Sequence, residues 1–119
     1  MTPLNRRARG SDGEQLACEY LALQGLSIVQ RNFRSHRGEI DIVAREGEYL
    51  VFCEVKCRES DEFGSPEHAV TPEKARQIRN VAEGYLAKNG ICEQACRFDV
   101  VAIRFSGARG VLNHIRNAF

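Results

Sequence analysis

Apolar residues recur at helical spacing near the start of the chain, at Leu16, Ala17, Tyr20, Leu21 and Leu23. Ser11-Asp12-Gly13-Glu14 before them has the form of a capping box, and Gly25 after them stops the helix. From Leu26 to Arg58 the period changes to that of strands. Ile28-Val29, then Ile40, Ile42 and Ala44 in alternation, then Tyr49 to Phe52 predict three β segments. Gly38 and Glu46-Gly47 supply the turns. These connections are too short for crossovers, so the three strands form an antiparallel meander. A polar loop, Glu59 to Val70, leads to Thr71-Pro72, an N-cap followed by proline at the first helical position. Ala75, Ile78, Ala82, Tyr85 and Leu86 form the stripe of this second helix, and Asn89-Gly90 ends it. Arg97 to Phe105 reads as a strand reached by a helical crossover, hence parallel to the third. The tail from Val111 to Phe119 adds an edge strand. The order α-β-β-β-α-β-(β) defines an α/β fold, α+β by some schemes. Residues 1–10 read as a flexible basic lead and 11–119 as one domain.

Composition adds limits rather than identity. At 119 residues, with 43% hydrophobic and 28% charged residues, the chain can bury a core without disulfides. The longest apolar run, Tyr49 to Cys53, falls far short of the roughly 20 residues that span a bilayer. No secretory leader is evident after Met1, which predicts a cytoplasmic protein with no membrane partner. Five cysteines in that setting read as buried or incidental thiols rather than a disulfide framework or a zinc site. The net charge of +1 excludes a chain that binds nucleic acid through bulk charge. Local clusters remain: Arg6, Arg7 and Arg9, then Arg31, Arg34 and Arg37.

Chemistry concentrates in Gly38-Glu39-Ile40-Asp41-Ile42-Val43 and Phe52-Cys53-Glu54-Val55-Lys56. Strand alternation puts Glu39, Asp41 and Val43 on one face and Ile40 and Ile42 on the other. Leu50, Phe52, Glu54 and Lys56 likewise share a face. With Glu46-Gly47 as a two-residue loop, Arg45 faces Glu48 and Asp41 faces Phe52. Glu54 is then the diagonal neighbour of Asp41, roughly 7–8 Å away. Two carboxylates at that spacing can reach one divalent cation, and a slip of one residue would separate them. Mg²⁺ takes carboxylate, carbonyl and water oxygens, and beside a phosphodiester it stabilises developing charge. A neighbouring lysine can orient water or stabilise the transition state. The competing reading is an ordinary salt-bridged face.

Asp41, twelve intervening residues and Glu54-Val55-Lys56 resemble the nuclease motif PD-(D/E)-x-K, with Ile40 where the proline would stand. The likeness extends to Gly13-Glu14-Gln15-Leu16-Ala17, Tyr20-Leu21, Gly25, Arg31-Asn32-Phe33-Arg34, Gly38 to Val43, Arg58, Gly64, Ala69-Val70, Lys74, Tyr85-Leu86 and Arg97 to Val101. Over about residues 11 to 105 the chain resembles the YraN family, whose members are similar to archaeal Holliday junction resolvases. Cys53 stands where that family usually has an aliphatic residue. The resemblance implies a restriction endonuclease-like fold. It implies Asp41 and Glu54 as ligands of Mg²⁺ or Mn²⁺, assisted by the Val55 carbonyl, with Lys56 beside the attacking water. Glu14 matches a first-helix acid that can complete the metal site, and it also fits the capping box. Glu39, on the Asp41 face, is read either as a support for that acid or as an exposed strand-end acid. Arg31, Arg34, His36, Arg37, Arg58 and Lys74 are candidate nucleic-acid contacts. Asp99 is read as a structural hydrogen-bonding acid.

Two classes of function follow. One is a metal-dependent endonuclease acting on DNA, branched or structured, with a homodimer needed for paired cuts and Val111, Leu112, Ile115 and Phe119 as interface candidates. The other is a non-catalytic nucleic-acid-binding or accessory protein on the same scaffold. The intact triad favours the first, and the near-neutral charge favours the second.

Overall fold

Helix α1 (Gly13–Leu23) ends two residues before Gly25, whose φ of 97° lies in the region glycine adopts freely. Leu26 N–H returns to the Leu21 carbonyl at 3.0 Å and Gly25 N–H to that of Ala22 at 3.1 Å, the paired bonds that close a helix end. The computed structural model describes residues 2–5, 13–59 and 70–119. The cap expected at Ser11 and Asp12, and most of the polar loop before the second helix, lie outside the described residues.

Strands β2 (Ser27–Ser35), β3 (Gly38–Glu46) and β4 (Tyr49–Glu59) form the antiparallel meander that the period-two pattern predicts. Helix α2 (Pro72–Lys88) opens on Thr71, whose Oγ1 accepts the Lys74 N–H at 3.1 Å. It carries the chain across the sheet, so β5 (Cys96–Ser106) runs parallel to β4. Strand β6 (Arg109–Ile115) returns antiparallel to β5. The expected edge is occupied differently. Residues Thr2–Asn5, within the lead read as flexible, form β1 and pair antiparallel with β6. An open strand edge presents unpaired N–H and C=O groups, and β1 satisfies those of β6. The sheet order is β1-β6-β5-β4-β3-β2.

The result is a mixed α+β architecture, one six-stranded sheet with a helix on each face. On the α1 side Leu16, Ala17 and Leu21 pack against Ile42, Val51, Cys53, Val101 and Ile103. Leu112, expected as a dimer-interface candidate, is instead buried in this core. On the α2 side Ile78, Val81, Ala82 and Tyr85 pack against Phe33, Val43, Leu50 and Phe52. No helix among the described residues is long and apolar enough to cross a membrane.

Alternation fails on β3 beside Asp41, and it matters. Ile42 packs on the α1 side, whereas Ile40 joins Phe33 and Val43 on the α2 side. The expectation that Ile40 and Ile42 share a face is therefore corrected. Opposite them Phe33 pairs with Ile40 and Arg31 with Ile42, and the intervening Asn32 has φ of 52°. A left-handed residue turns the chain out of the pleat, so side chains on either side of it no longer alternate regularly. Asp41 sits at this break.

Candidate active site

The β3–β4 loop is Gly47-Glu48, with Glu46 opposite Tyr49, rather than Glu46-Gly47 with Arg45 opposite Glu48. Gly47 takes φ of 58°, and two-residue hairpin loops require such left-handed conformations. The register consequently moves: Val43, not Asp41, faces Phe52. The move changes every pairing but keeps the parity, so the acids stay on a common face. Pairing stops at Ile42 and Cys53, and the next residue on each strand is Asp41 and Glu54. The two carboxyls are thus neighbours across the strand gap rather than along a diagonal. Beyond the last pair the strands separate, and Asp41 Oδ2 accepts the Val55 N–H at 2.8 Å.

Both acids are buried, with 8% of Asp41 and 7% of Glu54 accessible. Two lysines approach the same oxygen. Lys56 Nζ stands 3.4 Å and Lys74 Nζ 3.9 Å from Glu54 Oε1. Burial raises the affinity of Glu54 for a proton and repulsion from Asp41 adds to it, while Lys56 and Lys74 oppose the rise without cancelling it. Burial also raises Asp41, against the Val55 N–H, with further repulsion from Glu39. Two carboxyls kept this close resist being charged together, and a cation between them would relieve the conflict. Acids raised by burial beside a specific charge partner mark a candidate functional site.

Of the residues singled out in the sequence, Asp41, Glu54 and Lys56 come together, and Lys74 joins them. Glu14 does not. Its Oε1 lies 3.8 Å from Arg31 Nη2, and no three His, Cys, Asp or Glu side chains gather among the described residues. Arg31 is drawn to α1, donating to Gln15 Oε1 at 2.9 Å as well. Arg34 pairs with Glu39 at 3.0 Å on the surface. His36 and Arg37 form the exposed β2–β3 turn, and Arg58 donates to the Cys57 carbonyl at 3.1 Å. That turn is tied to α2 by Gln77, which donates to the Arg37 carbonyl at 2.9 Å. Gly38 makes room for this contact, since its φ is 143° and a Cβ there would come 2.7 Å from Gln77 Nε2.

Asp99, expected to make a structural hydrogen bond, does so, fully buried, among partners that the sequence did not name. Arg97 grips its carboxylate with two bonds of 2.9 Å, His114 Nε2 lies 2.7 Å away, and Asn117 N–H donates at 3.0 Å. Burial pushes against ionisation, yet these partners outweigh it and hold the Asp99 pKa down to about 2. Arg97 also reaches Glu46 Oε1 at 2.8 Å, linking β5 to the β3–β4 hairpin. A cavity of about 590 Å³ lies away from the acids, lined by Pro3, Leu4, Arg104 and Val111 among others.

Fold and site together define a mixed α+β protein with a buried acid pair and two lysines where two strands part. Comparison with known proteins places it more closely: the chain belongs to Uncharacterised protein family UPF0102, whose family model matches residues 13–103. It is 48% identical over 116 residues to a UPF0102 protein of Geobacter metallireducens, covering 98% of this chain and 95% of that one. It is 47% identical to a UPF0102 protein of Rhodococcus jostii, with 94% and 96% covered. A UPF0102 protein of Caldicellulosiruptor saccharolyticus is 42% identical, with 98% and 100% covered.

Proposed function

We propose that this chain is a metal-dependent endonuclease that hydrolyses phosphodiester bonds of DNA, with branched or otherwise structured DNA as its substrate class. In this reading the fold is the restriction endonuclease-like one of Holliday junction resolvases, and the family is the one also called YraN. The observation that carries the reading is the juxtaposition of buried Asp41 and Glu54 with Lys56 and Lys74 on one Glu54 oxygen. A purely structural ion pair would need one acid. The second, Asp41, accepts the Val55 N–H, a bond that a neutral side chain could also make without the repulsion two buried carboxylates add.

The donor set fits a hard cation. Asp41 and Glu54, with the Val55 carbonyl, offer only oxygen, and Mg²⁺ commonly takes one or two carboxylates and fills its remaining positions with water and phosphate. Bound there, Mg²⁺ or Mn²⁺ supplies charge stabilisation for the phosphoryl group and acidifies the attacking water. The chain's own residues do the rest. Val55 N–H fixes the direction of the Asp41 carboxylate before substrate arrives. Glu54 holds Lys56 and Lys74 near the pocket, and an incoming phosphate competes for both ammonium groups. Lys56 then orients the water or meets charge on the phosphoryl oxygens as it develops. Arg34, His36, Arg37 and Arg58 supply backbone-phosphate contacts that position the duplex. Symmetric cutting of both strands requires a homodimer. A DNA substrate also fits the cytoplasm as the protein's compartment.

Incubating the protein with four-way, flapped, splayed and single-stranded DNAs in Mg²⁺ or Mn²⁺ tests the reading. Wild type is expected to release 5′-phosphate ends, and Lys56→Ala to lose about a hundredfold or more in rate. Binding without cleavage under every metal would establish the accessory role instead.

A further inference from the structure

We infer that a cavity beside the acid pair receives one unpaired nucleobase of the strand being cut, an inference that rests on the endonuclease reading and names its substrate more narrowly. Across the sheet Glu54 pairs with Val100, and Val100 with Ile115. With strands about 4.8 Å apart, this row runs from the acids to roughly 10 Å beyond them. Val100 and Ile115 are the floor of a cavity of about 290 Å³, with Pro72 and Ala75 of α2 on one side and Ala118 and Phe119 on the other. Glu54, the cross-strand neighbour of Val100, has Lys56 Nζ at 3.4 Å and Lys74 Nζ at 3.9 Å from its Oε1, so the charged group lies one strand from the cavity floor.

The walls are built in advance. Ala118 N–H donates to the Phe98 carbonyl at 2.7 Å, and Asn117 N–H to buried Asp99 at 3.0 Å. The Phe119 ring stacks on Phe98 at 5.4 Å between centroids, with the Arg79 guanidinium 5.5 Å from its own. A slot with an aromatic wall, one strand away from the acid that two ammonium groups approach, matches a nucleotide: apolar ring in the slot, phosphate at the lysines. Its volume lies near the lower end, roughly 300 Å³, of pockets that hold a small ligand. One base enters, a base pair does not, so the nucleotide beside the cut must be unpaired or turned out of the stack. Junctions, flaps and single strands provide such a base at little cost.

The test uses the full chain and a short single-stranded deoxyoligonucleotide carrying 2-aminopurine, compared with the same strand made abasic at that position. By fluorescence anisotropy wild type is expected to bind the base-bearing strand about tenfold more tightly. Ala118→Phe, which fills the slot, should abolish that preference. Equal binding of the two strands by wild type, or a preference that survives in Ala118→Phe, overturns the inference. Cleavage is scored separately. DNA cut without any base preference removes the pocket and leaves the endonuclease standing, whereas base preference without cleavage does the reverse. Should Ala118→Phe fail to fold, the Ala75 and Ala118 methyl resonances of wild type decide. They should shift with the base-bearing strand and not with the abasic one, and unmoved signals would overturn the pocket.

Discussion

The backbone N–H of Val55 reaches Asp41 Oδ2 at 2.8 Å, just where the pairing of β3 and β4 ends. A side chain thus takes the hydrogen bond that a strand would otherwise supply, and the fork between the strands becomes a pocket with a fixed acid in it. Buried N–H groups are rarely left unpaired, so Asp41 carries a structural task along with its proposed chemical one. Asp41→Ala consequently confounds the two, and Asp41→Asn, which keeps an oxygen for Val55, is the cleaner variant.

Divalent metal should stabilise the protein through this pair. At Mg²⁺ or Mn²⁺ tenfold above its dissociation constant the gain is about 1.4 kcal/mol, or roughly 5 °C in Tm for a chain of this size. Differential scanning fluorimetry should show that shift in wild type and little of it in Asp41→Asn or Glu54→Gln. Equal shifts in all three would remove the metal from this site.

Without metal the same two acids oppose folding. Asp41 and Glu54 bind protons more readily folded than unfolded, their ordinary pKa values being 3.8 and 4.5. Stability they permit at low pH is therefore lost as pH climbs from about 4 through the raised folded values. In chelator Glu54→Gln is expected to melt above wild type at pH 7, with the gap narrowing toward pH 4. A variant less stable than wild type at pH 7 would contradict the electrostatic account.

Lys56 and Lys74 should separate by degree. Lys56 lies closer to Glu54 and shares its strand, so Lys56→Ala is expected to lose cleavage while retaining the metal-dependent Tm shift. Lys74→Ala, one helix away, should cost about tenfold in rate and weaken DNA binding more at low salt than at high. Steady-state rates together with anisotropy at two ionic strengths check both.

Asp99 behaves in the opposite sense to the acid pair. Its pKa is held at about 2 against an ordinary 3.8, so its contribution is complete above about pH 4 and disappears as pH falls toward 2. Asp99→Asn strips Arg97 and His114 of a buried partner and should cost roughly 3 kcal/mol, near 10 °C in Tm, at pH 7. Urea denaturation at pH 7 and pH 3 measures both the loss and its narrowing in acid.

Much of the architecture was legible in the residues because local rules and the fold agree. Thr71-Pro72 starts a helix, Gly25 ends one, alternation marks the meander, and a helical crossover makes β5 parallel to β4. The acids and Lys56 were legible for the same reason, since parity survives a two-residue change of register. The turn itself was not, because Gly47 lies between Glu46 and Glu48 and either neighbour could join it in a two-residue loop. Strand β1 has four residues and acquires meaning only from the open edge of β6. The partners of Glu14 and Lys74 depend on which elements meet in space. Asparagine is among the residues that most often take positive φ, but within a strand pattern that mark is weak, and at Asn32 it coincides with the turn of Ile40 to the α2 side.

The most direct measurement is the anomalous scattering of a crystal grown or soaked in Mn²⁺. A peak about 2.1 Å from one carboxylate oxygen each of Asp41 and Glu54, absent in a Glu54→Gln crystal, is the predicted result. A crystal with Mn²⁺ bound only elsewhere, and the acid pair closed on Lys56 and Lys74, would contradict it.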